Sequence, residues 1–145
     1  MKHYMKVLMG SSFMFGCIFI TSGNAEAASG GWYKVTAAGN NCKARVDTDQ
    51  TEYKSNNKTV GMQLEAEGKC STMYYDAALT YKGLEPVAHD TTVGSFSSKP
   101  PLKQLKIGTV HEKETTVIMV QLYKDAAHTQ PIGRLISNDI ILYPR

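Results

Sequence analysis

The chain has 145 residues and carries 16 lysines and arginines against 13 aspartates and glutamates, which gives a formal net charge of +3. This length is typical of one domain. The charge bias is too weak to indicate a nucleic-acid-binding protein, which usually presents a clustered basic face.

The first 27 residues have the features of a secretory signal peptide. A basic head at residues 2–6 precedes an apolar run over 7–20 and the small-x-small pattern Ala25-Glu26-Ala27. The run has about 14 residues, fewer than the roughly 20 that a membrane-spanning helix needs. Cys17 offers a lipobox-like alternative, but apolar residues follow it directly. We therefore predict cleavage after Ala27 and a secreted or periplasmic product.

The predicted mature domain, residues 28–145, retains 14 basic and 12 acidic residues and no further apolar run long enough to span a membrane. It keeps two of the three cysteines, Cys42 and Cys70. An even pair in an exported domain predicts one disulfide. Two free thiols are the alternative; a zinc site is disfavoured because no Cys-x-x-Cys or neighbouring histidine is present.

Alternating apolar and polar residues predict β-strands along the chain. Residues 32–37 form a candidate opening strand, and the clearest alternation covers 59–67. A second alternating segment over 75–81 follows a turn at Gly68-Lys69. We predict that these two longer segments form a hairpin. Strand parity then places both cysteines on core-facing sides.

The second half of the domain contains one long stretch without a clear pattern, residues 83–101, which we interpret as a loop that crosses between sheets or carries function. Residues 115–123 are apolar on both faces and predict a central strand. Shorter strands over 132–136 and 140–143 follow. About seven strands without helical periodicity predict an all-β, immunoglobulin-like or C2-like antiparallel β-sandwich.

Within residues 120–140, Leu122-Tyr123, Asp125 and Ile132-Gly133 resemble the closing hairpin of C2-type sandwiches. The calcium-binding aspartate pattern of that family is missing, because Lys124 precedes a lone Asp125. The resemblance therefore implies a sandwich and carries no function.

Three histidines follow the leader, and each has an acidic residue nearby. They are His89 beside Asp90, His111 beside Glu112, and His128 close to Asp125. Nucleophilic catalysis would also need an activated serine or cysteine, and no Gly-x-Ser-x-Gly turn is present. We interpret all three as surface loop residues and predict no catalytic residue, no cofactor and no enzymatic activity.

Two further groups of charged residues suggest ligands. Asp47 and Asp49, with Glu52 nearby, could approach calcium, but a third closely spaced acidic ligand and a glycine are missing, so we interpret them as solvated turn residues and predict no metal site. Four lysines lie within 15 residues, namely Lys99, Lys103, Lys106 and Lys113. They could bind an anionic cell-surface polymer or protect a sheet edge from pairing with another chain, and we favour edge protection.

Asn57-Lys58-Thr59 matches the N-glycosylation pattern. This match is meaningful only if the source organism attaches glycans at such sites.

The sequence thus favours an exported binding module that recognises another extracellular protein, for example as the inhibitor of a protease or lysozyme. We predict its contacts in one loop, namely Ser95, Phe96, Ser97, Ser98, Lys99 and Pro100. A subunit of a surface fibre or adhesin is one alternative. A small secreted hydrolase or toxin that uses a histidine–acid pair is another.

Overall fold

The computed structural model describes residues 28–83 and 87–145, so the predicted signal peptide lies outside the described residues. The described chain is nearly all β, with a three-residue 3₁₀ helix over Thr36–Ala38. Its strands are β1 (Ala28–Ser29), β2 (Tyr33–Lys34), β3 (Lys43–Thr48), β4 (Glu52–Tyr53), β5 (Thr59–Glu67), β6 (Met73–Tyr81), β7 (Ala88–Phe96), β8 (Lys103–Lys106), β9 (Glu114–Tyr123), β10 (Pro131–Ile136) and β11 (Ile140–Leu142).

Two sheets pack against each other and confirm the predicted all-β sandwich. The first sheet has the order β1-β3-β5-β8, with β2 also paired to β3. The second has the order β4-β11-β9-β6-β7, with β10 also paired to β9. All pairs are antiparallel except β4 with β11. As predicted, β9 is central, and β10 and β11 follow one another along one side of it.

The core lies between the two sheets because every second side chain of each long strand points inward. In the first sheet, the inward row includes Val46 beside Leu64. In the second sheet, it includes Ala77 beside Val120. These four side chains are at most 2 % exposed, which places them in the continuous apolar core. Burial of this apolar surface is the main force that holds the sheets together.

The predicted hairpin between β5 and β6 is wrong. β5 pairs with β3 and β8, whereas β6 pairs with β7 and β9, so the connection over 68–72 crosses from one sheet to the other. The crossing is fixed locally, since the Ser71 N–H donates to the Ala38 carbonyl at 2.8 Å. At Gly68, φ is +96° and an added Cβ would lie 2.1 Å from the Asn41 carbonyl oxygen. The alternation of apolar and polar residues located both strands correctly, but it does not indicate which strands pair with each other.

The predicted long loop over 83–101 is also wrong, because β7 occupies Ala88–Phe96 and pairs with β6 along its length. Its inward positions are Thr92, Gly94 and Phe96, of which only Phe96 is fully buried. The Tyr75 side chain fills the space at Gly94, where an added Cβ would lie 2.7 Å from the Tyr75 hydroxyl oxygen. The strand therefore lacks the apolar alternation that would have revealed it.

The predicted opening strand over 32–37 is shorter than expected. Only Tyr33–Lys34 pairs with β3, and the 3₁₀ helix follows directly. This turn buries Val35 and Ala38 at the end of the sandwich, which an extended strand could not do with both residues.

Candidate functional site

The predicted disulfide is confirmed between Cys42, just before β3, and Cys70, in the connection between β5 and β6. Cys42 is buried as predicted, whereas Cys70 is only half-buried because it lies beyond the end of β5. The bond is consistent with an extracellular or periplasmic protein. No helix of the length and apolar character needed to cross a membrane occurs in residues 28–83 and 87–145.

His89 is not a surface loop residue, because it lies in β7 and its side chain is only 3 % exposed. The Gly108 N–H donates to its Nδ1 at 3.0 Å. Its Nε2 lies 2.5 Å from Glu114 Oε1 and so carries the proton that is donated to this carboxylate. Its acidic partner is therefore Glu114 of β9 and not the adjacent Asp90. With both nitrogens engaged, the ring has none free to accept a proton from a nucleophile.

The other two histidines differ in environment. His128 stacks on the Tyr123 ring, with 4.7 Å between centroids, and its Nδ1 lies 2.8 Å from Asp76 Oδ1. Asp125, the acidic residue close to His128 in sequence, closes the turn after β9: the Thr129 hydroxyl and nearby backbone N–H groups donate to it and lower the pKa of its carboxyl. His111 is exposed between β8 and β9, as predicted.

The acidic residues considered for calcium have partners within the protein. Asp49 accepts a hydrogen bond from the Tyr53 hydroxyl and, at 2.9 Å, from the Gly61 N–H. Burial, with Asp49 as a further cause, strongly raises the pKa of Tyr53. Asp47 lies 3.4 Å from the Arg45 guanidinium. No group of three or more metal-ligating side chains is found among the described residues.

In the structure, the predicted binding segment has one buried residue, and its other residues lie on the surface. Phe96 is 5 % exposed and packs edge-to-face on Tyr75, so its prediction as a contact residue is wrong. The remaining positions lie on the surface at the end of β7 and just beyond it: Ser95, Ser97, Ser98 and Lys99 are exposed, and Pro100 is half-buried.

The surface part of this segment is tied to the first sheet through its backbone. The Ala66 N–H donates to the Ser98 carbonyl at 2.8 Å, and the Gln63 side chain donates to the Pro100 carbonyl at 2.5 Å. That these surface residues contact a partner remains a prediction.

The outer face of the first sheet is charged and internally paired. Lys43 lies 3.2 Å from Glu67, and the Arg45 guanidinium lies 3.0 Å from Glu65. Arg45 also lies over the Trp32 ring, 4.5 Å from its centroid. Such a network of surface charges is well solvated and offers little apolar area to a partner.

The outer face of the second sheet is different, because apolar side chains from four neighbouring strands lie side by side. The register aligns Ala78 of β6 with Met119 of β9, and Met119 with Ile136 of β10. On β7, Val93 points to the same side and is 60 % exposed; Ile136 is 38 % exposed. We call these four residues the apolar face.

A groove of about 590 Å³ is lined by three residues of the apolar face, Ala78, Val93 and Met119. Ala78 is half-buried and lines it as a small side chain between larger neighbours. Polar groups border the groove, and they include Asp76, Thr91, Gln121, Tyr123 and Arg134. An apolar centre with aromatic and arginine residues at its border is typical of protein interfaces.

The sequence contained one signal for the apolar face that was interpreted differently. Residues 115–123 are apolar on both sides, and this pattern predicts a central strand. The strand is central, but Met119 reaches the outer surface, where it is half-buried. Val93 was missed because its strand was predicted as a loop.

Residues 25–143 match a family model described as "YqgA MG2 macroglobulin domain", and the matched range contains every strand of both sheets. No curated protein and no solved structure matches the chain significantly. Because the match covers most of the chain and the fold agrees with it, the protein belongs to this macroglobulin-domain family and is an immunoglobulin-like β-sandwich interaction module.

Proposed function

We propose that this domain is an exported, non-catalytic module that binds another extracellular or periplasmic protein through the apolar face. The observation that carries the proposal is the contrast between the two outer surfaces. One surface is paired internally through Lys43, Arg45 and their acidic partners, whereas the other exposes Val93 and Ile136 beside a groove. Exposed apolar area of this kind favours association because binding removes it from water.

The non-catalytic part of the proposal is supported by the histidines. His89 has both ring nitrogens in hydrogen bonds, and Asp125, close to His128 in sequence, accepts hydrogen bonds within its own turn. A purified domain is expected to lack peptidase, esterase and muramidase activity. An activity that disappears in H89A, H111A or H128A would contradict this expectation.

Binding is tested with two variants that change the apolar face without touching the core. Ile136→Glu adds a charge to an exposed position, and Ala78→Arg fills the groove. Lys34→Glu is the matched control, since Lys34 is exposed and belongs to the first sheet. Each variant is expressed in the source cell, cross-linked in place and analysed by mass spectrometry, after circular dichroism has shown that it is folded.

The wild type and Lys34→Glu are expected to yield the same cross-linked protein. Both face variants should reduce its yield by about tenfold or more, the effect of losing about 1.4 kcal/mol of binding free energy. Equal yields from all four proteins, or no cross-linked protein with the wild type, would overturn the proposal.

A further inference from the structure

The edges of the two sheets differ in their protection against pairing with another chain. Natural edges are blunted by short strands, lysine, proline or bulges. β1, β2 and β4 have two residues each. β8 has lysine at both ends, and β10 has a bulge between Pro131 and Gly133. In contrast, β7 has nine residues without lysine, arginine or proline, and among the described residues it pairs with β6 alone. Its pairing with β6 is irregular near its start, between Ala88 and Asp90, and regular from Asp90 to Phe96.

Two backbone groups on the open side of β7 are hydrogen-bonded to surface side chains. The Thr91 N–H donates to the Asp90 carboxylate at 2.9 Å, and the Lys103 ammonium donates to the Val93 carbonyl at 3.2 Å. In an antiparallel strand, the N–H and C=O of one residue point to the same side, so Thr91, Val93 and Ser95 all present their backbone outward. An incoming strand can replace these two side-chain bonds with ladder hydrogen bonds.

We propose that β7 is a docking edge for an extended, acidic segment of a partner protein, which adds as a new strand beside β7. This inference rests on the proposed function and specifies its partner. Alternate side chains of the new strand would continue the apolar face next to Val93, so apolar residues are expected at those positions. The segment thus alternates apolar residues with polar or acidic ones.

The charges along this edge select an acidic partner. The Lys103 side chain of β8 is exposed, and its ammonium group reaches the edge of β7, where it donates to the Val93 carbonyl. The Asp90 carboxylate already accepts two backbone N–H groups, from Thr91 and Lys106. The Lys103 ammonium is therefore the charge offered to an incoming strand, and a glutamate or aspartate in that strand is complementary to it.

The same charges disfavour a second copy of this chain as the occupant. If β7 paired with β7 of another copy around Val93, both Lys103 ammonium groups would lie near the twofold axis. Like charges placed opposite one another destabilise a strand pair. A partner segment that brings an acidic residue to this position has no such cost.

The test uses three synthetic decapeptides that alternate valine with threonine and differ only in a central residue, which is glutamate, glutamine or lysine. Binding to the purified domain is measured by fluorescence anisotropy, and amide hydrogen exchange locates the bound peptide. We expect the glutamate peptide to bind about tenfold tighter than the lysine peptide. Exchange should slow at Thr91, Val93 and Ser95, and Lys103→Glu should reverse the order of affinities, whereas Lys34→Glu should not.

Three results would overturn the docking edge: no binding of the glutamate peptide at about 1 mM, equal affinities for all three peptides, or exchange that slows elsewhere than in β7. A concentration-dependent dimer that protects the same amides without peptide would also overturn it in favour of a second copy. Val93→Pro removes one outward N–H at an edge position that tolerates proline and should abolish binding.

The two proposals fail separately. If none of the peptides binds while Ile136→Glu still reduces the yield of the cross-linked protein, the docking edge is wrong and the apolar face remains the contact surface. If the glutamate peptide binds while both face variants retain the cross-linked protein, the edge stands and the apolar face is wrong.

Discussion

At the scale of single residues, Tyr53 shows how the fold satisfies a polar group inside the core. Its side chain is fully buried, and its hydroxyl donates to Asp49 and accepts the Gln50 N–H at 3.1 Å. Asp49 in turn accepts the Gly61 N–H, so one tyrosine links the turn before β4 to β5. A buried hydroxyl without such partners would cost about 1–3 kcal/mol.

Tyr53 leads to a prediction about alkaline pH. Burial raises the pKa of Tyr53 and also that of Tyr75, above the ordinary value of 10.0. Below this value both the folded and the unfolded chain keep the phenolic protons, so stability is unaffected. Above it the unfolded chain loses protons first, and the free energy of unfolding falls by up to about 1.4 kcal/mol per pH unit for each tyrosine.

Urea denaturation between about pH 9 and about pH 11 measures this slope. Tyr53→Phe should make the slope shallower, whereas Tyr33→Phe, at an exposed position, should leave it unchanged. An unaltered slope in Tyr53→Phe would contradict the assignment.

At the scale of elements, sequence alternation predicted which segments form strands better than it predicted their partners. β5, β6 and β9 carry regular apolar alternation or a double apolar face, and the sequence located all three. Their pairing depends on the crossing at 68–72, which a tight local contact at Gly68 decides. β7 was missed because Tyr75, from the neighbouring strand, supplies the apolar volume at Gly94.

His89 connects β7 to two other parts of the sandwich through hydrogen bonds, one to Gly108 in the segment after β8 and one to Glu114 in β9. His89→Ala should lower the free energy of unfolding by about 2 kcal/mol, since it removes one hydrogen-bond donor from the half-buried Glu114 carboxylate and the Nδ1 acceptor from the Gly108 N–H. Amide exchange at Gly108 should become faster. His111→Ala is the control because His111 is exposed, and equal effects of both substitutions would show that the His89 contacts contribute nothing.

At the scale of the whole molecule, the sequence predicted the sandwich and its disulfide but not the candidate binding surface. The cysteines could be paired because only two follow the predicted signal peptide. The apolar face could not be assembled, since Ala78, Val93, Met119 and Ile136 come from four strands that are distant in sequence. In the sequence, none of these single apolar residues indicates a surface patch, because only the strand register places them side by side.

The disulfide should contribute a large part of the stability. It closes a loop with a sequence separation of 28 residues. Restricting the unfolded chain in this way stabilises the fold by about 3.5 kcal/mol in the chain-entropy model. The double variant with Cys42→Ala and Cys70→Ala should lose about this amount in urea denaturation, and a reducing agent should destabilise the wild type but not the variant. A loss below about 1 kcal/mol would contradict the prediction.

The position of β11 between β4 and β9 has a consequence for how the chain folds as it emerges. With the N-terminus first, the strands of the first sheet are all present once residue 106 has appeared, but the second sheet lacks an internal strand until residue 142 follows. Ile140 and Leu142 of β11 are fully buried, so the core is incomplete while they are missing. A chain that emerges N-terminus first is therefore expected to stay incompletely folded until β11 is in place, which opposes premature folding before that point.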